Sequence, residues 1–271
     1  MNQQEYNENF IMQPKIDFVF KEIMANEKAL KGFLSAVLDI PPNNIKSTVL
    51  KNTNLKKTYK DEKQGILDVR LVLNNEKEID IEIQLSYMSA WADRSVFYVS
   101  KMLVEQVNIN KYYSNIKKCI GINILDFAYI REEERFHTIY HIHEDTSHQI
   151  YTEVMEWHLI ELPKLPEETD GTPLDKWTRF IKAERREEFE MIVQGNEYLQ
   201  SAFDTLNIIS QDEQKRLEYT ARQKALYDYN QQMTENYERG IVYGESKKEN
   251  ELIVKWKAKG MTDEQIKELL N

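Results

Sequence analysis

The segment GILDVRLVLNNEKEIDIEIQL, residues 65–85, limits the fold more than any other part of the chain. It holds two alternating runs joined by a polar turn, and strand side chains point to opposite faces in turn. Ile79, Ile81, Ile83 and Leu85 therefore share one side, with Asp80, Glu82 and Gln84 on the other. The first run splits in the same way, with Leu67, Val69, Leu71 and Leu73 opposite in sense to Asp68 and Arg70. Directly opposed residues of an antiparallel pair lie on one face, so loop length decides whether the two polar sets coincide. A two-residue turn at Asn75–Glu76 would mix them. A three-residue loop, Asn75-Glu76-Lys77, opposes Asn74 with Glu78, Arg70 with Glu82 and Asp68 with Gln84, and is the expected arrangement.

Carboxylates gathered on one patch repel each other and titrate upward unless a cation compensates. A hard divalent ion, Mg²⁺ or Mn²⁺, suits such a patch, since Mg²⁺ takes one or two carboxylates, keeps several waters and accepts phosphate oxygens. It would polarise a phosphate and acidify a water, as phosphodiester hydrolysis requires. Spacing alone equally admits a sheet face wet by solvent, with Arg70 pairing Glu82.

Around this hairpin the pattern alternates between helix and strand. PKIDFVFKEIMANEKALKGFLSAVLD carries apolar residues at helical spacing and is stopped by IPP; two helices are expected there. NIKSTVLKN reads as a strand, WADRSVFYVSKMLVEQVNINKYY as a helix to about Tyr112, and KCIGINILDFAYI as a strand buried on both faces. RFHTIYHIHE and EVMEWHLIEL read as two strands paired across DTSHQIYT. The order implies an α/β fold with a mixed sheet. After PKLPEETDGTP the pattern is helical, and near the end Gly260 marks a helix stop while Thr262 and Gln265 form a capping box.

Composition narrows the function classes. No apolar run approaches the roughly 20 residues of a membrane span, and MNQQEYNENF lacks a signal-peptide layout, so a cytoplasmic location is expected. A single cysteine, Cys119, excludes an internal disulfide and a cysteine-built zinc site. The net charge of -10 argues against a generally basic nucleic-acid binder. The excess acid falls mostly after residue 150, whereas lysines cluster between Lys46 and Lys63, where Lys56, Lys57 and Lys60 are candidates for DNA phosphate contact or simply a solvated loop. His137, His141 and His143 share a strand face, but with no cysteine or carboxylate at ligand spacing they read as a solvated face rather than a zinc site.

The fragments KIDFVFKEIM, ILDVRLVL, IDIEIQL, ADRSVFYVSKMLVEQV, IGINILDF and WHLIELPKL, in that order over about residues 14–240, resemble the recombination-promoting nuclease and transposase family, known as Rpn or YhgA-like, of the PD-(D/E)XK nuclease superfamily. The resemblance implies a restriction-endonuclease-like mixed sheet flanked by helices, with a helical C-terminal region. It implies a metal-dependent DNA endonuclease in which Asp68 and Glu82 hold the ion. The superfamily's lysine position falls on Gln84, whose amide can orient a water but supplies no positive charge. Asp17 and Lys21, one turn apart on the first helix, are candidates for a water-mediated metal contact and a phosphate contact, or for a plain helix-start charge pair. Arg94 and Tyr98 face the site in the family's pattern, and Arg94 suits a bidentate phosphate contact.

These readings give a nuclease core over 1–165, a helical region packed on it over 166–240 and a helical tail over 241–271, with double-stranded DNA as partner and a homodimer as a further expectation. Two other classes stay open at this point: a regulatory or DNA-binding protein whose nuclease site is weak or inactive, and a helical interaction module in 175–271.

Overall fold

A computed structural model describes residues 10–55, 65–107 and 112–270. The chain divides into two compact units, Met1–Tyr219 and Thr220–Asn271. The first contains a six-stranded sheet, β1 (Thr48–Leu50), β2 (Val69–Leu73), β3 (Lys77–Gln84), β4 (Lys118–Leu125), β5 (His137–His143) and β6 (Ile150–Glu161), in the order β1-β2-β3-β4-β6-β5. β1, β2 and β3 are antiparallel, β3, β4 and β6 run parallel, and β5 is antiparallel to β6. The mixed α/β class follows directly from the hairpin feeding a parallel crossover through α3 (Trp91–Glu105).

One sheet face packs on helices from both ends of the unit. The isoleucines of β3 and β4 join side chains of α1 (Asp17–Met24), α2 (Glu27–Val37), α4 (Pro173–Lys182), α5 (Arg186–Ile192) and α6 (Glu197–Gln211) in a single buried cluster. Amphipathic spacing makes these helices, and caps fix their ends. Asn26 accepts from the N–H groups of Lys28 and Ala29, and Asn196 from those of Tyr198 and Leu199. The first three helices after the Pro/Gly connector, α4 to α6, thus complete the core of the sheet. α7 (Glu213–Ala258) crosses the division between the units, and its one buried side chain among those described, Tyr219, packs edge-on to Phe10 and Phe18. In the second unit α8 (Asp263–Leu270) follows Gly260 at φ +84°, with the Thr262–Gln265 capping box closed in both directions.

Several expectations need correction. The hairpin loop has three residues, but they are Asn74, Asn75 and Glu76, so the register shifts by two: Arg70 opposes Asp80 and Val72 opposes Glu78. Asn74 and Asn75 both adopt positive φ, 51° and 59°, which Asn tolerates better than most residues, and the turn closes where they stand. The parity survives, so the polar sets still share a face. Leu67 leaves the alternation, because β2 starts only at Val69 and Leu67 packs with Tyr98, Val99 and Met102 on the α3 side. Arg70 does not pair with Glu82; it bonds Glu78 and Glu105. α3 stops at Glu105, well short of Tyr112.

Candidate active site

The polar stripe of the hairpin is not wet by solvent. It faces α3, and Glu78, Asp80, Glu82 and Arg70 are all buried. Two electrostatic groups share it. At one end the Arg70 guanidinium donates to Glu78 at 2.7 Å and to Glu105 at 2.8 Å; burial pulls its pKa down, but these two carboxylates outweigh that and hold it above the usual value. Lys51 also reaches Glu78, at 3.4 Å, so two cations meet two carboxylates there.

At the other end acids are in excess. Glu82 Oε1 accepts the backbone N–H of Asp68 at 2.8 Å, and Asp68 Oδ2 accepts the N–H of Ile83 at 3.0 Å. Each carboxylate is therefore anchored on the other's strand, which fixes the pair as closely as a ladder bond would. Lys21, from α1, reaches Asp68 Oδ1 at 2.9 Å. Arg94, from α3, lies 4.0 Å from Glu82 Oε2, with its guanidinium over the Trp91 and Tyr98 rings at 5.5 and 5.1 Å. Two aromatic faces hold that cation toward the acids. Burial, and then the Asp68 charge, push Glu82 up to about 8. Asp80, fully enclosed, is raised strongly by burial and then by Glu82 and Asp68, and its Oδ1 has no hydrogen-bond partner.

These features fit a hard divalent cation. The donors are carboxylate oxygens, two of the acids are pushed upward first by burial and then by neighbouring carboxylates, and one buried oxygen is orphaned. Among the described residues no cluster of three or more His, Cys, Asp or Glu makes a ready metal shell. A two-carboxylate donor set is one that a hard divalent cation accepts while keeping waters.

Of the other residues singled out from sequence, Gln84 shares the stripe one repeat beyond Glu82, and its amide donates to Ser86 O at 3.2 Å. Asp17 begins α1, one turn before Lys21. Tyr98 is buried under Arg94, its pKa raised by that burial against the lowering pull of Arg94. Lys56, Lys57 and Lys60 lie outside the described residues. The histidines are better connected than a solvated face: His137 stacks on His158 with ring nitrogens 3.0 Å apart, and His141 and His158 both reach Glu156 at 2.8 Å. Burial, then His158 and Arg135, hold His137 down at about 4.

Sequence reasoning placed Asp80 on the polar face without giving it a role, and it left out Asn123. Asn123 pairs with Glu82 across β3 and β4, accepts from Ser95 of α3 at 3.0 Å and donates to His158 O at 3.2 Å. A lone amide inside the apolar run IGINIL was the available signal.

A mixed sheet in which Glu82 of β3 and Asp68, just ahead of β2, anchor each other, with cations brought to them by flanking helices, fits a nuclease-type fold. The family comparison carries this further: a model described as PD-(D/E)XK nuclease family transposase matches residues 14–236. The chain belongs to that family. No curated protein and no solved structure matched it.

Proposed function

We propose that the protein is a divalent-metal-dependent DNA endonuclease in which Asp68 and Glu82 hold Mg²⁺ or Mn²⁺ and double-stranded DNA is the substrate. The reciprocal anchoring of Asp68 and Glu82 carries this reading, because it holds two acids together at a cost that a bound divalent cation would relieve. When bound, the metal would polarise a phosphate oxygen and lower the pKa of a water. The chain's own groups do the rest. Asp68 and Glu82 would hold that metal and so set where the reacting phosphate lies, since carboxylates on their own repel a phosphate. Arg94, held by Trp91 and Tyr98, donates to a phosphate oxygen and stabilises the charge that builds on it. Lys21 supplies from α1 the positive charge that Gln84 cannot. Gln84 orients the attacking water through its amide once its contact to Ser86 is exchanged.

Supercoiled plasmid incubated with the purified chain should be nicked or linearised with Mg²⁺ or Mn²⁺, left intact with EDTA, and left intact by Glu82→Ala. Equal cleavage by wild type and Glu82→Ala, in protein free of contaminating nuclease, would put the chemistry elsewhere. The reading of a weak or inactive nuclease fold keeps one observation in its favour, the amide at Gln84 tied to Ser86, and the same plasmid assay decides it.

A further inference from the structure

Three aromatic rings lie just beyond the carboxyl end of β3, where the candidate site ends. Tyr87 and Phe127 meet edge-on with centroids 5.4 Å apart, and Tyr129 lies 6.4 Å from each. Tyr87 is 56% exposed, unusual for a ring packed on two others. The group is built rather than incidental. Asp126 N donates to Gln84 O at 2.9 Å, which ties the loop after β4 to the end of β3. Glu161, with no exposed surface, accepts the N–H groups of Tyr129 and Ile130 at 2.5 and 3.1 Å and is matched by Lys164 at 2.7 Å. The Tyr129 hydroxyl donates to Ser89 O at 3.1 Å and accepts from Ala92 N at 3.3 Å. A buried ion pair and five hydrogen bonds thus hold Tyr129 and the loop around it, and the exposed ring of Tyr87 packs on the partly buried rings of Phe127 and Tyr129.

We propose that this cluster is a stacking platform for an unpaired nucleobase next to the cleaved phosphate, so that the favoured substrate is DNA with single-stranded character at the cut. The proposal deepens the nuclease reading and rests on it for the identity of the polymer. Three observations select a base over a protein partner. Three rings cover far less than the roughly 800 Å² per partner of a stable protein interface. Tyr87 follows Gln84 by three residues, about 10 Å of strand at most, within a few nucleotides of Glu82. Lys21 and Arg94 stand beside the carboxylates to take the backbone, leaving the rings to take the base. An exposed π-face accepts any base and needs no sequence code.

The test uses the full chain in EDTA at low salt, with a fluorescein-labelled 15-nucleotide single strand and the blunt duplex of the same sequence. Tyr87→Ala should weaken single-strand binding about tenfold, and more than it weakens duplex binding. Tyr87→Trp should restore it, and 2-aminopurine in the strand should be quenched by wild type but less by Tyr87→Ala. Equal affinities of wild type and Tyr87→Ala for the single strand, an equal loss on both DNA forms, or no DNA binding by wild type would overturn the platform. The two readings fail separately. Tyr87-dependent binding without plasmid cleavage would sink the nuclease and keep the platform; cleavage without any Tyr87 effect would do the reverse.

Discussion

Glu82 is asked to be an anion in a place that disfavours one. Its folded pKa, about 8 against 4.5 for a free side chain, means that the folded protein holds a proton between those values which the unfolded chain has released. Metal-free stability is therefore greatest below pH 4.5 as far as this group is concerned and falls as pH rises to 8, on the order of 1 kcal/mol per pH unit. Thermal unfolding in EDTA from pH 5 to 8 should show that decline, and Glu82→Gln should flatten it while abolishing cleavage. An unchanged slope in Glu82→Gln would assign the decline to another group. Gln84→Lys should act in the opposite direction on rate: a lysine beside the attacked phosphate restores a charge that comparable sites value at roughly 10²-fold or more. Single-turnover plasmid cleavage measures this, and a rate no higher than wild type would mean that Lys21 already fills the role.

Among the elements, α3 brings Arg94 to the acids, and β4 sets how closely α3 can approach. A Cβ on Gly121 would stand 2.9 Å from Val99 Cγ2 and 3.1 Å from Trp157 Cδ1. Gly121→Ala should cost about 1–3 kcal/mol in denaturant unfolding and lower cleavage as well, because α3 must move with Arg94 on it. Much of this was legible from pattern: the two faces of the hairpin, the doubly buried β4 and the terminal capping box follow from period and cap chemistry alone. Register was not, because two consecutive asparagines tolerate the left-handed conformation and alternation cannot tell loops of equal parity apart. The convergence of Asp68 with Glu82 was legible as shared parity; the salt bridge from Lys21 was not, since it joins residues 47 positions apart through packing of α1. Glu156 escaped notice beside the histidines for the same reason, lying on the neighbouring strand.

For the molecule as a whole, α4, α5 and α6 belong to the core, since Trp177, Phe180, Phe189 and Leu199 are buried with the sheet residues. A fragment 175–271 would expose them, so it is a poor candidate for an independent interaction module. Tyr219 closes the first unit, its hydroxyl accepting from Gln13 N at 3.2 Å. A chain ending at Ala225 should unfold within a few degrees of the full chain, while one ending at Asp212 should lose about 3 kcal/mol with that ring; equal midpoints would show that Tyr219 contributes nothing. No helix among the described residues is long and apolar enough to cross a membrane. What unites the scales is that sheet, α1 and α3 converge on one pair of acids. Calorimetric titration of Mn²⁺ into the DNA-free chain at pH 7, repeated in buffers of different ionisation enthalpy, tests that pair most directly. The wild type should bind with release of a proton from Glu82, and Glu82→Gln should neither bind comparably nor release it. Equal binding by both proteins would contradict the assignment of the metal to Asp68 and Glu82.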